Sequence, residues 1–130
     1  MQTMKKFEFG ELVAFLSAEF EADLRWVAVY NAETYDYNFR FIRDDLKTEL
    51  TGNQLDYLIH RSLAVYNKRH AEEVYFHLGE ADSLVVDYDR GRAIHVFLDD
   101  VRGVTIMVEP DRSIRLPEFS ESCRDRIHRA

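Results

Sequence analysis

The chain has 130 residues, 46% of them apolar, with 24 acids against 17 bases and a formal charge of −7. That length suits one domain with a real core, so a single α+β domain over residues 1–130 is expected, and the apolar share argues against disorder. A net acidic chain repels nucleic acid and anionic lipid unless its bases are segregated. The single cysteine, Cys123, excludes an intrachain disulfide and any C-x-x-C zinc or redox motif.

Taken in order, the N-terminal stretch carries Glu8, Glu11 and Glu19 among its apolar residues, so neither a signal peptide nor a membrane helix is expected. With one cysteine, this fits a reducing cytoplasm. Residues 9–20 predict a helix with Phe9, Leu12, Val13, Leu16 and Phe20 on one face. "LRWVAVYN" and "DYNFRFIR" predict two strands joined by "AETY". An even loop sets Trp26 against Phe41, Ala28 against Phe39 and Tyr30 against Tyr37, an aromatic ladder expected on the helix-covered face. Arg40 and Arg43 are expected to pair with acids.

Asp44 and Asp45 predict a short extra helical turn, since acids suit a helix N-terminus. Residues 52–70 predict the clearest helix, capped by Thr51 with Gln54 at capping-box spacing, and with Leu55, Leu58, Ile59, Leu63 and Tyr66 on one face. "VYFHL", "SLVVDYD", "RAIHVFLD" and "GVTIMVEP" follow as four short strands in a meander. Phe119, Cys123 and Ile127 then repeat at helical spacing in an arginine-rich end. The expected order is α-β-β-α-β-β-β-β-α, an antiparallel sheet of hairpin plus meander with helices packed on it.

"LVVDYDRGRAIHVFLDD" holds four aspartates and a histidine within residues 84–100. With Arg90–Gly91 as the turn, Asp89 lies beside Arg92 and Val85 pairs with Val96. Val85, Ile94, Val96, Leu98, Val104, Ile106 and Val108 form the core face. Val86, Tyr88, His95, Phe97, Thr105 and Met107 form the other. The pairs Asp87/Asp89 and Asp99/Asp100 then sit at opposite ends of a strand, roughly 23 Å apart at strand rise. That is far beyond the reach of one metal ion or of a glycosidase pair. His95 has no acid in register, Asp56 and His60 lack a third ligand, and Cys123 reads as a core thiol. Glycine-rich phosphate loops and the G-x-S-x-G elbow are absent. No catalytic, metal or cofactor site is therefore assigned.

"YDYNFRFIRDDL" (35–46) and "LVVDYDRGRAIHVFLDDVRGVTIMVEPD" (84–111) resemble a small uncharacterised haloarchaeal family. The shared features are an aromatic strand running into Arg43-Asp44-Asp45-Leu46, and a histidine strand at His95 followed by Arg102-Gly103. The resemblance implies a haloarchaeal cytoplasmic protein and brings no activity with it. Thirteen arginines against four lysines, with acid excess, agree with such a source. The order helix, hairpin, helix, meander also resembles the roadblock and longin group of dimeric regulatory modules, from which the strand 104–109 departs as one too many.

The leading expectation is a non-enzymatic interaction module that forms a homodimer through an apolar sheet face carrying Val86, Tyr88, His95, Phe97 and Met107. The alternative is a small-ligand sensor with a pocket near Trp26 and Tyr30. More distant is a hydrolase or metal enzyme using Asp44, Asp45 and His95.

Overall fold

The structure, a computed structural model, describes residues 7–49, 54 and 72–129. The helix expected over 52–70, its cap at Thr51, and the histidines His60 and His70 fall outside the described residues. The elements are β1 (Phe7–Glu8), α1 (Gly10–Phe20), β2 (Leu24–Asn31), β3 (Asp36–Ile42), α2 (Asp44–Glu49), β4 (Ser83–Tyr88), β5 (Gly91–Phe97), β6 (Arg102–Val108), α3 (Glu118–Arg124) and β7 (His128–Arg129). The fold is α+β. Five antiparallel strands in the order β3-β2-β6-β5-β4 make the main sheet, and β1 pairs antiparallel with β7 in a small second one.

Leu12, Leu16 and Phe20 recur at helical spacing in α1 and are buried, while Glu21 at φ 51° stops the helix and donates its N–H to Ser17. This stripe lies on Val27, Ile94, Val96, Val104, Ile106 and Val108 of the sheet, with Phe119 and Cys123 of α3 completing the core. Phe20 meets Phe119 edge-on at 5.8 Å, within the favourable range for aromatic pairs. The core face of the meander therefore holds the residues that alternation assigned to it.

The hairpin register is corrected in one respect. Val85 pairs with Ile94 and Tyr88 with Gly91, so Asp89–Arg90 is the turn and Asp87, not Asp89, faces Arg92. A two-residue slip leaves every side chain on its face. Gly91 opens β5 beneath Met107, where a Cβ would stand 3.3 Å from Sδ.

In the first hairpin, Ala28 faces Phe39 and Tyr30 faces Tyr37, with Ala32–Tyr35 as the loop and the Asn31 side chain accepting the N–H groups of Glu33 and Thr34. A bulge between Val27 and Ala28 corrects the far end. Arg40 is the extra residue, Val27 meets Phe41, and Trp26 meets Ile42 rather than Phe41. Trp26 still contacts Phe39 edge-on at 5.9 Å.

The ladder lies on the face opposite α1, because β2 pairs with β6 so that Ala28 joins Thr105 and Tyr30 joins Gly103. Leu46 of α2 packs there with Trp26 and Ala28. "VYFHL" is not a strand: Phe76–Leu78 form a 3-10 turn closed by Gly79 at φ 86°, and Val74, Tyr75, Phe76 and Leu78 are exposed. The meander thus has three strands. The C-terminal helix ends at Arg124, and His128–Arg129 return as β7.

Candidate functional site

The second sheet face gathers the residues singled out from the sequence. β2 brings Trp26 and Tyr30, β3 brings Tyr37, β5 brings His95 and Phe97, and β6 brings Thr105 and Met107. Trp26, Tyr30, His95, Phe97 and Thr105 are buried, Val86 and Met107 are half-buried, and Tyr88 is 50% exposed. Within this face His95 and Phe97 are buried, whereas Val86, Tyr88 and Met107 keep exposed surface.

His95 is not alone on this face. Its Nδ1 lies 3.1 Å from the Thr105 hydroxyl. Burial pushes its pKa down to about 4, so the ring is neutral near pH 7. Burial also pushes the Tyr30 and Tyr37 hydroxyls up, which keeps both protonated as donors. Thr105 pulls Tyr37 the other way without reaching hydrogen-bond geometry. Trp26 Nε1 and both tyrosine hydroxyls are buried with no hydrogen-bond partner. This set donates hydrogen bonds.

The acids are engaged elsewhere. Asp87 pairs with Arg92 near the β4–β5 turn. At the opposite end of β5, Asp99 accepts the backbone N–H groups of Val101 and Arg102 at 3.0 and 2.7 Å, and the Arg102 side chain at 2.8 Å. Burial raises the Asp99 pKa, but those bonds outweigh it and hold the carboxyl below its usual value. Asp82 and Asp99 share a cavity of about 330 Å³ with Arg124, whose Nη1 is 2.7 Å from Asp82. Among the described residues no group of three His, Cys, Asp or Glu side chains could hold a metal ion. Cys123 lies in the other core, its thiol pushed up to about 12 by burial.

Arg43-Asp44-Asp45-Leu46 is a clamp. Arg43 donates to both Asp45 oxygens at 2.6 and 3.0 Å, to the Ala22 carbonyl at 2.8 Å and to Glu109 at 3.0 Å. Arg25 meets the same Glu109 oxygen. The Arg43 hydrogen bonds hold the Asp45 carboxyl below its usual value. Asp44 faces Lys47 in the solvent, and Leu46 is buried. Arg102-Gly103 is likewise structural. Arg102 holds Asp99 and covers the Phe7 ring at 4.6 Å, and Gly103 makes room for the Tyr30 ring.

Arg40, expected to find an acid, instead lies over the Phe9 ring at 5.2 Å. Sequence reading missed it because the signal is a bulge, visible only once strands are paired. The approach of Tyr37 to Thr105 was hidden for a similar reason: it depends on β2 lying beside β6, while Thr105 and His95 share a face that the meander register already gave.

No helix among the described residues is long and apolar enough to cross a membrane. The family described as Domain of unknown function (DUF7522) matches residues 10–128, and the chain belongs to it. No curated protein matches the chain.

Proposed function

We propose that this family member is a non-enzymatic interaction module that acts as a homodimer, pairing through the open edge of β4. The observation that carries the reading is an exposed apolar strip at that edge. Among the described residues β4 ends the sheet. Leu84 and Tyr88 are 37% and 50% exposed, and the neighbouring segment exposes Val74, Tyr75, Phe76 and Leu78 by more than half. Soluble monomers seldom leave such patches uncovered, and an unpaired edge is a template for another strand.

A second copy fits because an antiparallel edge is self-complementary under a two-fold axis. Pairing centred on Val86 sets Leu84 of one copy beside Tyr88 of the other on one face. The Arg92 guanidinium on Asp87 lowers the repulsion between the two edges. With 74–78 not a strand, the order becomes helix, hairpin, helix, three-stranded meander, and the departure noted for strand 104–109 disappears. That supports kinship with the roadblock and longin modules, although fold likeness alone does not give function. Acid excess with scarce lysine supports a haloarchaeal cytoplasm as the setting.

Light scattering after size exclusion tests the reading in low and in molar salt. A dimer is expected in both, with Val86→Lys monomeric and its circular dichroism unchanged, since an edge lysine blocks strand addition. A wild-type monomer at high concentration in both salts overturns it.

A further inference from the structure

A groove of about 560 Å³ lies on the α1 side of the sheet, between β1 and the end where the β2–β3 and β5–β6 turns meet. Those turns are tied by the Ala32 N–H donating to Val101 at 2.7 Å. The volume is that of sites which take small organic ligands, roughly 300–1,000 Å³. Phe7, Phe9, Val29 and Leu98 supply its apolar walls, and Arg40 and Asn38 its polar ones.

Arg40 supplies this groove with a cation that no carboxylate engages among the described residues, a condition it shares with Arg90, Arg126 and Arg129 elsewhere on the surface. Arg25, Arg43, Arg92, Arg102, Arg112 and Arg124 each contact a carboxylate. Arg40 contacts none among the described residues, and its guanidinium carbon lies over the Phe9 ring, 5.2 Å from the centroid. As the extra residue of the β3 bulge it is turned out of the cross-strand pattern, a use of bulges that recurs beside binding sites. The N–H edge of a guanidinium matches a carboxylate in a two-pronged grip, which a ring packed against its carbon does not consume.

Charge narrows the ligand. Glu8 and Asp36 also line the groove, and Arg102 is already neutralised by Asp99. Asp36 is four residues from Arg40 along β3, roughly 13 Å at strand rise. One unpaired cation against two acids suits a single negative charge at the Arg40 end and repels dianions and polyanions.

We infer that the groove binds a small monocarboxylate with an apolar body, the carboxylate held by Arg40 and the body lying along Phe7, Phe9, Val29 and Leu98. This site is on the opposite side of the sheet from His95 and does not depend on the dimer.

Phenylacetate is the probe, read by amide chemical-shift mapping on the full chain, with phenylacetamide and phenyl phosphate as comparators. Saturable shifts at residues 7–9, 38–40 and 98–103 are expected with phenylacetate, and weaker binding with both comparators. Arg40→Gln should weaken phenylacetate about tenfold, the loss of a charge-assisted hydrogen bond. Arg40→Lys, which keeps the charge without the fork, should fall between. No saturable shifts at millimolar phenylacetate overturn the site. Equal affinity in wild type, Arg40→Gln and Arg40→Lys overturns the role of Arg40, and tighter phenyl phosphate overturns the monocarboxylate.

Discussion

Two positions on the second sheet face show how single residues set this molecule's tolerances. A Cβ on Gly103 would stand 2.3 Å from the Tyr30 hydroxyl and 2.5 Å from Cζ, so the pair is a ring laid over a glycine. Gly103→Ala should cost about 1–3 kcal/mol in urea denaturation, as overpacking does. Tyr30→Val in the same background should return part of it, a coupling that an additive pair of losses would contradict. At His95 the folded pKa of about 4 lies below the ordinary 6.5. The unfolded chain therefore takes up the proton first on acidification. This contribution is complete above about 6.5 and is lost as pH falls toward 4, with a total on the order of 3 kcal/mol. His95→Leu should flatten the stability–pH profile across that window. A wild-type profile already flat there would show that the buried ring can be charged.

At the level of elements, the Arg43 clamp ties the start of α2 to the segment after β6 and to the 3-10 turn before β2. Its groups are partly solvated, so Arg43→Ala should cost only about 1 kcal/mol. Arg43→Lys should recover little, because one ammonium cannot replace a fork that reaches three partners. The difference should shrink in molar salt, where the Debye length is about 3 Å. Local elements were largely legible in the sequence. α1, both strands of the first hairpin, the core face of the meander and the short helix at Asp44 follow from periodicity and turn residues. What escaped depends on partners distant in the chain. The bulge at Arg40 requires the actual β2–β3 register, and the cover that brings Tyr37 toward Thr105 requires knowing that β2 lies against β6, whereas His95 and Thr105 were already legible on one face. "VYFHL" has the composition of a strand yet is none, since composition does not supply a neighbour to pair with. The family-like motifs at Arg43 and Arg102-Gly103 could be seen but not interpreted, because their partners Glu109, Phe7 and Tyr30 come from other elements.

For the whole molecule, the packing of α3 on the core predicts that the Cys123 thiol, at 0% exposure, reacts with a thiol reagent only as fast as the protein opens. The labelling rate should track denaturant concentration. Rapid labelling of native protein would contradict the packing of α3. The pairing of β1 with β7 has a consequence of another kind. Phe7 and Arg129 are cross-strand neighbours, and Glu11 and His128 touch at 3.0 Å although they are 117 positions apart. The backbone between them is topologically almost a ring. Closing it with a short linker between residues 7 and 129 would restrict the unfolded chain far more than the folded one, by about 4–5 kcal/mol in the chain-entropy limit for a loop of this size. New ends could then be opened at a surface turn such as Ala32–Tyr35, so that the same fold is reached along a different chain order.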